Sequence, residues 1–368
     1  MKKVLTIIGT RPEAIKLAPV VKKLAEYPDY FESIICATGQ HDELVHQVLD
    51  LFEIKPDFDL MVMRKNQTLT ELTLTILREI GEILSKIKPD IILVQGDTTS
   101  VFASALAAFY QRIRIGHVEA GLRTQDKYQP FPEEMNRCLT DQVSDFFFAP
   151  TEKNRCNLLA EGVPDEKIFV TGNTVVDALE EITSREDIFR IIDLPTPDGV
   201  MMILITVHRR ENFGNPLQHI LKAIRRLALY HSQIRFIYPV HPNPNVQDAA
   251  FAILSGLKNV ILLEPLDYFS FVYLMKKSHF ILSDSGGVQE EAPSLNKPVL
   301  ILRNKTERPE LVEAGGAKLV GSDEELIFRE VNKLIEDKDY YQRMVNIKNP
   351  FGDGTAAEKI IEILKKSS

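Results

Sequence analysis

Asp97, Glu119 and Glu133 each stand close behind an apolar run or a proline-rich turn, where a carboxylate can give and take protons. In QGDTTS, Asp97 is either a helix cap or a catalytic acid, and capping by Thr98 or Thr99 leaves it free for the second role. Glu119, in HVEAGLRT, ends a strand with an apolar interior, where burying an acid for structural reasons alone is costly. Glu133 and Arg137 in PFPEEMNR have the i,i+4 spacing of an ordinary helical ion pair. Only their place after a Pro-Phe-Pro loop near Glu119 argues for more. Cations sit at similar strand ends: Arg11 and Lys16 in GTRPEAIK, His208 in ITVHRREN, Arg308 in NKTERPE. Arg-Pro turns and His-Arg-Arg-Glu runs are commonly solvated, but His208 comes first after its strand and faces whatever lies beyond. His241, in YPVHPNPNV, ranks lower because its prolines suit a rigid loop.

An anion socket is written in SDSGGVQEE, Ser283 to Glu291, where the apolar run HFIL stops and a helix starts. Free N–H groups and the positive end of the peptide dipoles suit a phosphate there. Gly286 and Gly287 allow a tight turn and a close approach, Ser285 offers a hydroxyl, and Glu291 lies one turn in, within reach of a ribose. A plain helix N-cap at Ser285 fits the same stretch equally well. Phe271, in EPLDYFSFVYLM, is placed to cover a base, or else it fills the core behind an amphipathic helix. The chemistry these residues suggest is proton transfer beside a phosphorylated ligand.

Positioning them requires many strand ends on one side of a sheet. Runs rich in Val and Ile (residues 4–8, 31–38, 91–96, 113–120, 145–150 and 167–172) alternate with helix-spaced segments at 12–26, 69–86 and 100–110. Strands apolar throughout and separated by helices predict an α/β fold with a parallel sheet covered on both faces. The pattern pauses near DLPTPDG (193–199) and restarts with VMMILITVH, IRFIYPVH, VILLEPL, HFILSDS and PVLILR. Two doubly wound, Rossmann-like domains in sequence are therefore expected, joined near residues 172–198. In such sheets ligands bind outside the carboxyl ends of the strands, where the charged residues lie.

The 368-residue chain, 44% hydrophobic, has enough apolar mass for two cores, and its net charge of -8 disfavours a nucleic-acid surface. No apolar run reaches membrane-spanning length, and the N-terminus reads as a strand rather than a signal peptide. Cys36, Cys138 and Cys156 show no metal-binding spacing, so reduced thiols in a cytoplasm are the simple expectation, with no metal.

GTRPEAIKLAPV, QGDTTS, HVEAGLRT, PFPEEMNR, TGNTVVDAL, HRRENFG, PVHPNPNV, SDSGGVQEEAPSLNKPVL and TERPE, in this order along nearly the whole chain, resemble the non-hydrolysing UDP-N-acetylglucosamine 2-epimerases. The resemblance implies a GT-B fold with the active site between two Rossmann-like domains. The first would span 1–171 and regain a C-terminal helix at 355–368; the second, 172–354, would bind UDP. By the same resemblance Asp97, Glu119, Glu133, Arg137 and His208 match catalytic positions, and Arg11, Lys16, Phe271, Ser285, Gly286, Gly287, Glu291 and Arg308 match substrate contacts. It further implies UDP-N-acetylglucosamine, UDP-N-acetylmannosamine and UDP as ligands, no cofactor, and a homodimer. A GT-B glycosyltransferase, or an epimerase of a related UDP-amino sugar, is the alternative. Two departures stand out. Gln40 and His41 keep part of the motif of a second, activating sugar-nucleotide site, but Asp42, Glu43 and Asn66 replace residues expected there, so substrate activation is not expected. Gln95 and Leu266 are milder changes, since backbone groups can do the same work.

Overall fold

The computed structural model describes residues 1–39, 42–64, 66–185 and 199–367, with backbone alone at 42 and 43. They form two compact units, Met1–Ala178 with Phe351–Ser368, and Leu179–Pro350. The first contains β1 (Lys2–Ile8), α1 (Arg11–Ala25), β2 (Phe31–Ala37), α2 (Asp42–Leu51), β3 (Phe58–Asp59), α3 (Leu69–Ile87), β4 (Ile91–Gln95), α4 (Thr99–Tyr110), β5 (Arg114–Val118), α5 (Glu133–Val143), β6 (Phe146–Ala149), α6 (Glu152–Ala160), β7 (Ile168–Val170) and the first turns of α7 (Thr174–Ser184). Its strands are all parallel and ordered β3-β2-β1-β4-β5-β6-β7. Helices cover both faces, so a central strand such as β4 (IILVQ) is buried at every residue. β3 here and Ala317–Leu319 in the second unit fall outside the runs expected from sequence; two or three paired residues are too few for a periodic signal.

From β1 the chain moves outward to β2 and β3, then crosses back to add β4 on the other side of β1. The turns after β1 and β4 therefore lead away in opposite directions. At such a switch point the carboxyl ends stay open. Arg11 follows β1 and Asp97 follows β4, so the topology alone makes them neighbours.

The second unit repeats the scheme with β8 (Met202–Thr206), β9 (Arg235–Pro239), β10 (Val260–Leu263), β11 (Phe280–Ser283), β12 (Val299–Ile301) and β13 (Ala317–Leu319), ordered β10-β9-β8-β11-β12-β13 and all parallel. Its switch point lies between β8 and β11, with Thr206 paired to Ser283. That register sets His208 beside Ser285. The helix Asn215–Tyr230 shows how the sheet is covered. Leu217, Ile220, Leu221, Ile224 and Leu227 recur at helical spacing, are buried to 1% exposure or less, and pack with Ile203, Phe236, Tyr238 and Phe280. Each such side chain contributes roughly 1.5–3 kcal/mol of burial.

The helix Ala356–Lys366 returns to the first unit. Ile360, Ile361 and Leu364 are buried, Lys23 Nζ of α1 reaches Glu358 Oε2 at 3.0 Å, and the Tyr27 hydroxyl donates to Glu358 Oε1 at 3.1 Å. Asp177 accepts the Ala356 and Ala357 N–H groups at 3.3 and 2.8 Å, which satisfies amides left over at the start of the helix. This tie keeps residues 172–178 with the first unit. The proline-rich stretch 193–198, and Gln40 and His41, lie outside the described residues.

Candidate active site

At the first switch point the β1–α1 and β4–α4 turns are pressed together. A Cβ on Gly9 would meet the Cβ of Ser100 at 2.6 Å, so only glycine fits. Arg11 opens α1, with Thr10 at its N-cap and Pro12 in its first turn. Thr98 caps α4, its hydroxyl oxygen accepting the Val101 N–H at 3.3 Å, and Asp97 is thereby left out of capping. The Asp97 carboxylate accepts from Arg137 Nη2 at 2.5 Å, and its carbonyl from Asn136 Nδ2 at 3.0 Å. Both donors come from α5. Glu119 follows β5 with φ +68, a left-handed conformation that costs about 1 kcal/mol or more away from glycine. Its carboxylate accepts from Lys16 Nζ at 2.5 Å and Gln95 Nε2 at 2.6 Å. Glu133 begins α5, and its Oε2 is buried with no hydrogen-bond partner among the described residues.

Two findings differ from the sequence reading. Arg137 pairs with Asp97 and, at 3.3 Å, with Glu134, rather than with Glu133 four residues back. The half-buried Asp97 on a neighbouring turn and the buried Glu134 take the guanidinium instead. Lys16, read as a phosphate ligand, is engaged by Glu119.

Buried groups that the sequence reading passed over hold this cluster in place. Glu13 is 2% exposed; its Oε2 accepts the Gly9 N–H at 2.6 Å, and its Oε1 accepts the Thr10 and Thr98 hydroxyls at 2.9 and 2.8 Å. Burial pushes its pKa up to about 7 against the pull of those hydrogen bonds. His117, fully buried, sits with Nδ1 2.6 Å from Asp141 Oδ1 and Nε2 2.8 Å from the Gly96 carbonyl, joining β5, α5 and the β4 turn. Burial raises the pKa of Asp141, but His117 and Arg123 outweigh it and hold that carboxyl below its ordinary range. An acid three residues before Lys16 and a histidine two before Glu119 were the available signals.

In the second unit the organising group is Asp284, fully buried in the turn after β11. Its carboxylate accepts the His208 N–H at 3.0 Å, the Arg209 N–H at 2.8 Å and Asn212 Nδ2 at 2.9 Å. The turn after β8 is thus fastened to the turn after β11. The His208 ring stacks on His241, with centroids 5.4 Å apart. Ser285 is the N-cap of the helix Gly286–Glu291, yet its hydroxyl makes no capping bond. Neither Gly286 nor Gly287 takes a positive φ, so the tight-turn argument for them does not hold. Gly286 is needed because Arg308 lies against it, a Cβ there meeting Cζ at 2.9 Å, whereas a Cβ on Gly287 meets nothing nearer than 3.9 Å. Glu290 fixes Arg308 through Nε at 2.8 Å and Nη2 at 2.7 Å. Glu291, the expected ribose partner, accepts the Tyr268 hydroxyl at 2.6 Å, and Phe271 lies on the same helix as Tyr268, Tyr268–Lys277. Burial, and then the neighbouring guanidinium groups of Arg303 and Arg308, pull the pKa of Arg209 below its ordinary value. That crowding of cations favours an anion. Among the described residues no group of three or more His, Cys, Asp or Glu side chains is arranged to hold a metal, and no helix is long and apolar enough to cross a membrane.

Two parallel α/β units with polar residues gathered at their switch points make this a GT-B-like protein. The family model described as UDP-N-acetylglucosamine 2-epimerase matches residues 22–365, and the chain belongs to that family. It is 51% identical to the UDP-N-acetylglucosamine 2-epimerase of Escherichia coli K12, with 99% of each chain covered. It is likewise 51% identical to that of Bacillus subtilis, covering 98% of this chain and 94% of the relative. The crystal structure of the Neisseria meningitidis enzyme bound to UDP-GlcNAc superposes with a TM-score of 0.93 at 51% identity, covering 99% of this chain and 100% of the other.

Proposed function

We propose that the chain interconverts UDP-N-acetylglucosamine and UDP-N-acetylmannosamine by expelling UDP and adding it back. The hydrogen on the carbon bearing the N-acetyl group is not next to a carbonyl, so direct abstraction is slow. As the anomeric C–O bond breaks, its electron pair leaves on the diphosphate oxygen, and the developing oxocarbenium character acidifies that hydrogen. A carboxylate takes the proton and the C–H pair becomes the double bond of 2-acetamidoglucal. UDP then re-forms the C–O bond while a proton arrives on the opposite face. Such a path needs acid/base groups for both faces of the sugar and cations for the departing diphosphate.

The observation that carries this reading is the pair of carboxylates at adjacent strand ends, Asp97 after β4 and Glu119 after β5, with Glu133 at the start of the helix that supplies Arg137. Asp97 is anchored by Arg137, Glu119 by Lys16 and Gln95, and Glu133 has a buried oxygen without a hydrogen bond. We assign Asp97 with Glu119 or Glu133 to the base and acid roles. Arg137 anchors the Asp97 carboxylate, replacing the Glu133 pairing expected from spacing. Arg11, His208, Arg308 and the Ser285–Gly287 backbone would receive the diphosphate, Phe271 the base and Glu291 the ribose. Arginine, lysine and helix dipoles neutralise the diphosphate in this scheme without a divalent ion. Incubation with UDP-GlcNAc in deuterated water tests it: NMR should show UDP-ManNAc with deuterium at the inverted carbon. Product that keeps its original hydrogen there refutes the mechanism. Transfer of sugar to an acceptor without UDP-ManNAc would instead mark a glycosyltransferase.

The same reading takes the protein as a cytoplasmic homodimer that supplies N-acetylmannosamine for cell-surface polysaccharide; sedimentation of the purified chain tests the dimer. It also predicts a hyperbolic dependence of rate on UDP-GlcNAc, and a sigmoidal one would restore the second, activating site.

A further inference from the structure

Glu13 stands between Arg11 and Lys16, but its contacts reach beyond its own helix. Gly9 and Thr10, which donate to it, belong to the β1–α1 turn; Thr98, which also donates, directly follows Asp97. A carboxylate serving only the start of α1 would need the first two. The Thr98 hydroxyl does double duty, its oxygen capping α4 and its hydrogen held by Glu13. On the other side of Asp97, the Gly96 carbonyl is held by His117. Asp97 is therefore gripped through both of its chain neighbours as well as through its own carboxylate and carbonyl.

We propose that Glu13 is a positioning residue for Asp97, fixing through the Thr98 hydroxyl the peptide that follows it. The inference rests on the reading of Asp97 as an acid/base group. The charged group that acts on Glu13 from another element is Asp97, in the β4–α4 turn. Lys16 is paired with Glu119 and Arg137 of α5 with Asp97.

The test is steady-state epimerisation of UDP-GlcNAc across pH 5–9 for Glu13→Gln, Thr98→Val, Thr98→Ser and Asp97→Asn. Glu13→Gln should lower kcat on the order of 100-fold with KM within about threefold, since small misplacements of a catalytic group cost about that much. Thr98→Val should lose part of kcat, while Thr98→Ser, which keeps the hydroxyl, restores it; this pair decides the matter if Glu13→Gln does not fold. Wild-type kcat in both Glu13→Gln and Thr98→Val, with Asp97→Asn inactive, overturns this inference alone. Solvent-proton exchange retained in Asp97→Asn overturns the reading of Asp97 itself.

Discussion

The two units share a scheme, a parallel sheet with a switch point, and use it differently. In the first, the polar groups are held by other side chains: Arg137 on Asp97, Lys16 on Glu119, His117 on Asp141. In the second, one buried carboxylate, Asp284, collects backbone N–H groups from the turn after β8, and arginines crowd beside the short helix Gly286–Glu291. The difference follows from what each would do. A group that moves a proton needs a fixed side chain and a controlled charge. Holding a phosphate needs strand-end turns fixed in place with positive charge beside them. The same topology can therefore be specialised by choosing which kind of hydrogen bond ties its strand-end turns together.

The comparison breaks first at Asp97. Asp97→Asn should lower kcat by about 10³-fold or more, within the range of acid/base groups, and leave UDP affinity within about twofold. Equal losses in kcat and UDP affinity, by stopped assays and calorimetry, would show that the two sites are not separable. Next is the pH dependence of stability. The Glu13 carboxyl has a raised pKa, so the folded state binds its proton more tightly than the unfolded chain; the gain is complete below about 4.5 and is lost as pH rises to about 7. Relative to Glu13→Gln, wild-type stability by urea titration should fall by about 3 kcal/mol across that window, as 1.36 kcal/mol per pKa unit requires. A parallel course for the two proteins means that the carboxyl is not perturbed. Asp284→Asn comes third: weakening charge-assisted bonds to the His208 turn should lower UDP affinity about 10- to 30-fold with little change in the first unit's ion pairs. Unchanged calorimetric affinity would separate that turn from the UDP site. The smallest effect is expected at Gly287→Ala. Its stability should stay within about 1 kcal/mol of wild type, since a helical alanine is no worse than glycine, while UDP binds several-fold more weakly if the diphosphate lies against that backbone. Unaltered binding would free Gly287 from a ligand role.

Both sheets, the order of their elements and the charged strand ends were legible because parallel strands buried on two faces leave long Val- and Ile-rich runs, punctuated where the chain turns. What could not be read was which charged residue meets which. The i,i+4 rule correctly makes Glu133 and Arg137 neighbours on α5, yet Asp97, far away in sequence, takes the guanidinium. Helical spacing carries no information about the next strand. Glu13, His117 and Asp284 escaped notice for a related reason: each satisfies backbone or hydroxyl groups from another turn, and such service leaves no periodic trace. Of the glycines of SDSGG, Gly286 is crowded by Arg308, whereas Gly287 has room for a methyl group.

The helix Ala356–Lys366, seated on α1, makes the second unit an insertion within the first. On a ribosome the order of completion is thereby inverted. By residue 350 the second unit has all of its strands, while the first, begun earlier, still lacks the covering for part of α1. The usual rule that amino-terminal modules mature first is suspended, and a nascent apolar surface waits until the final turns emerge.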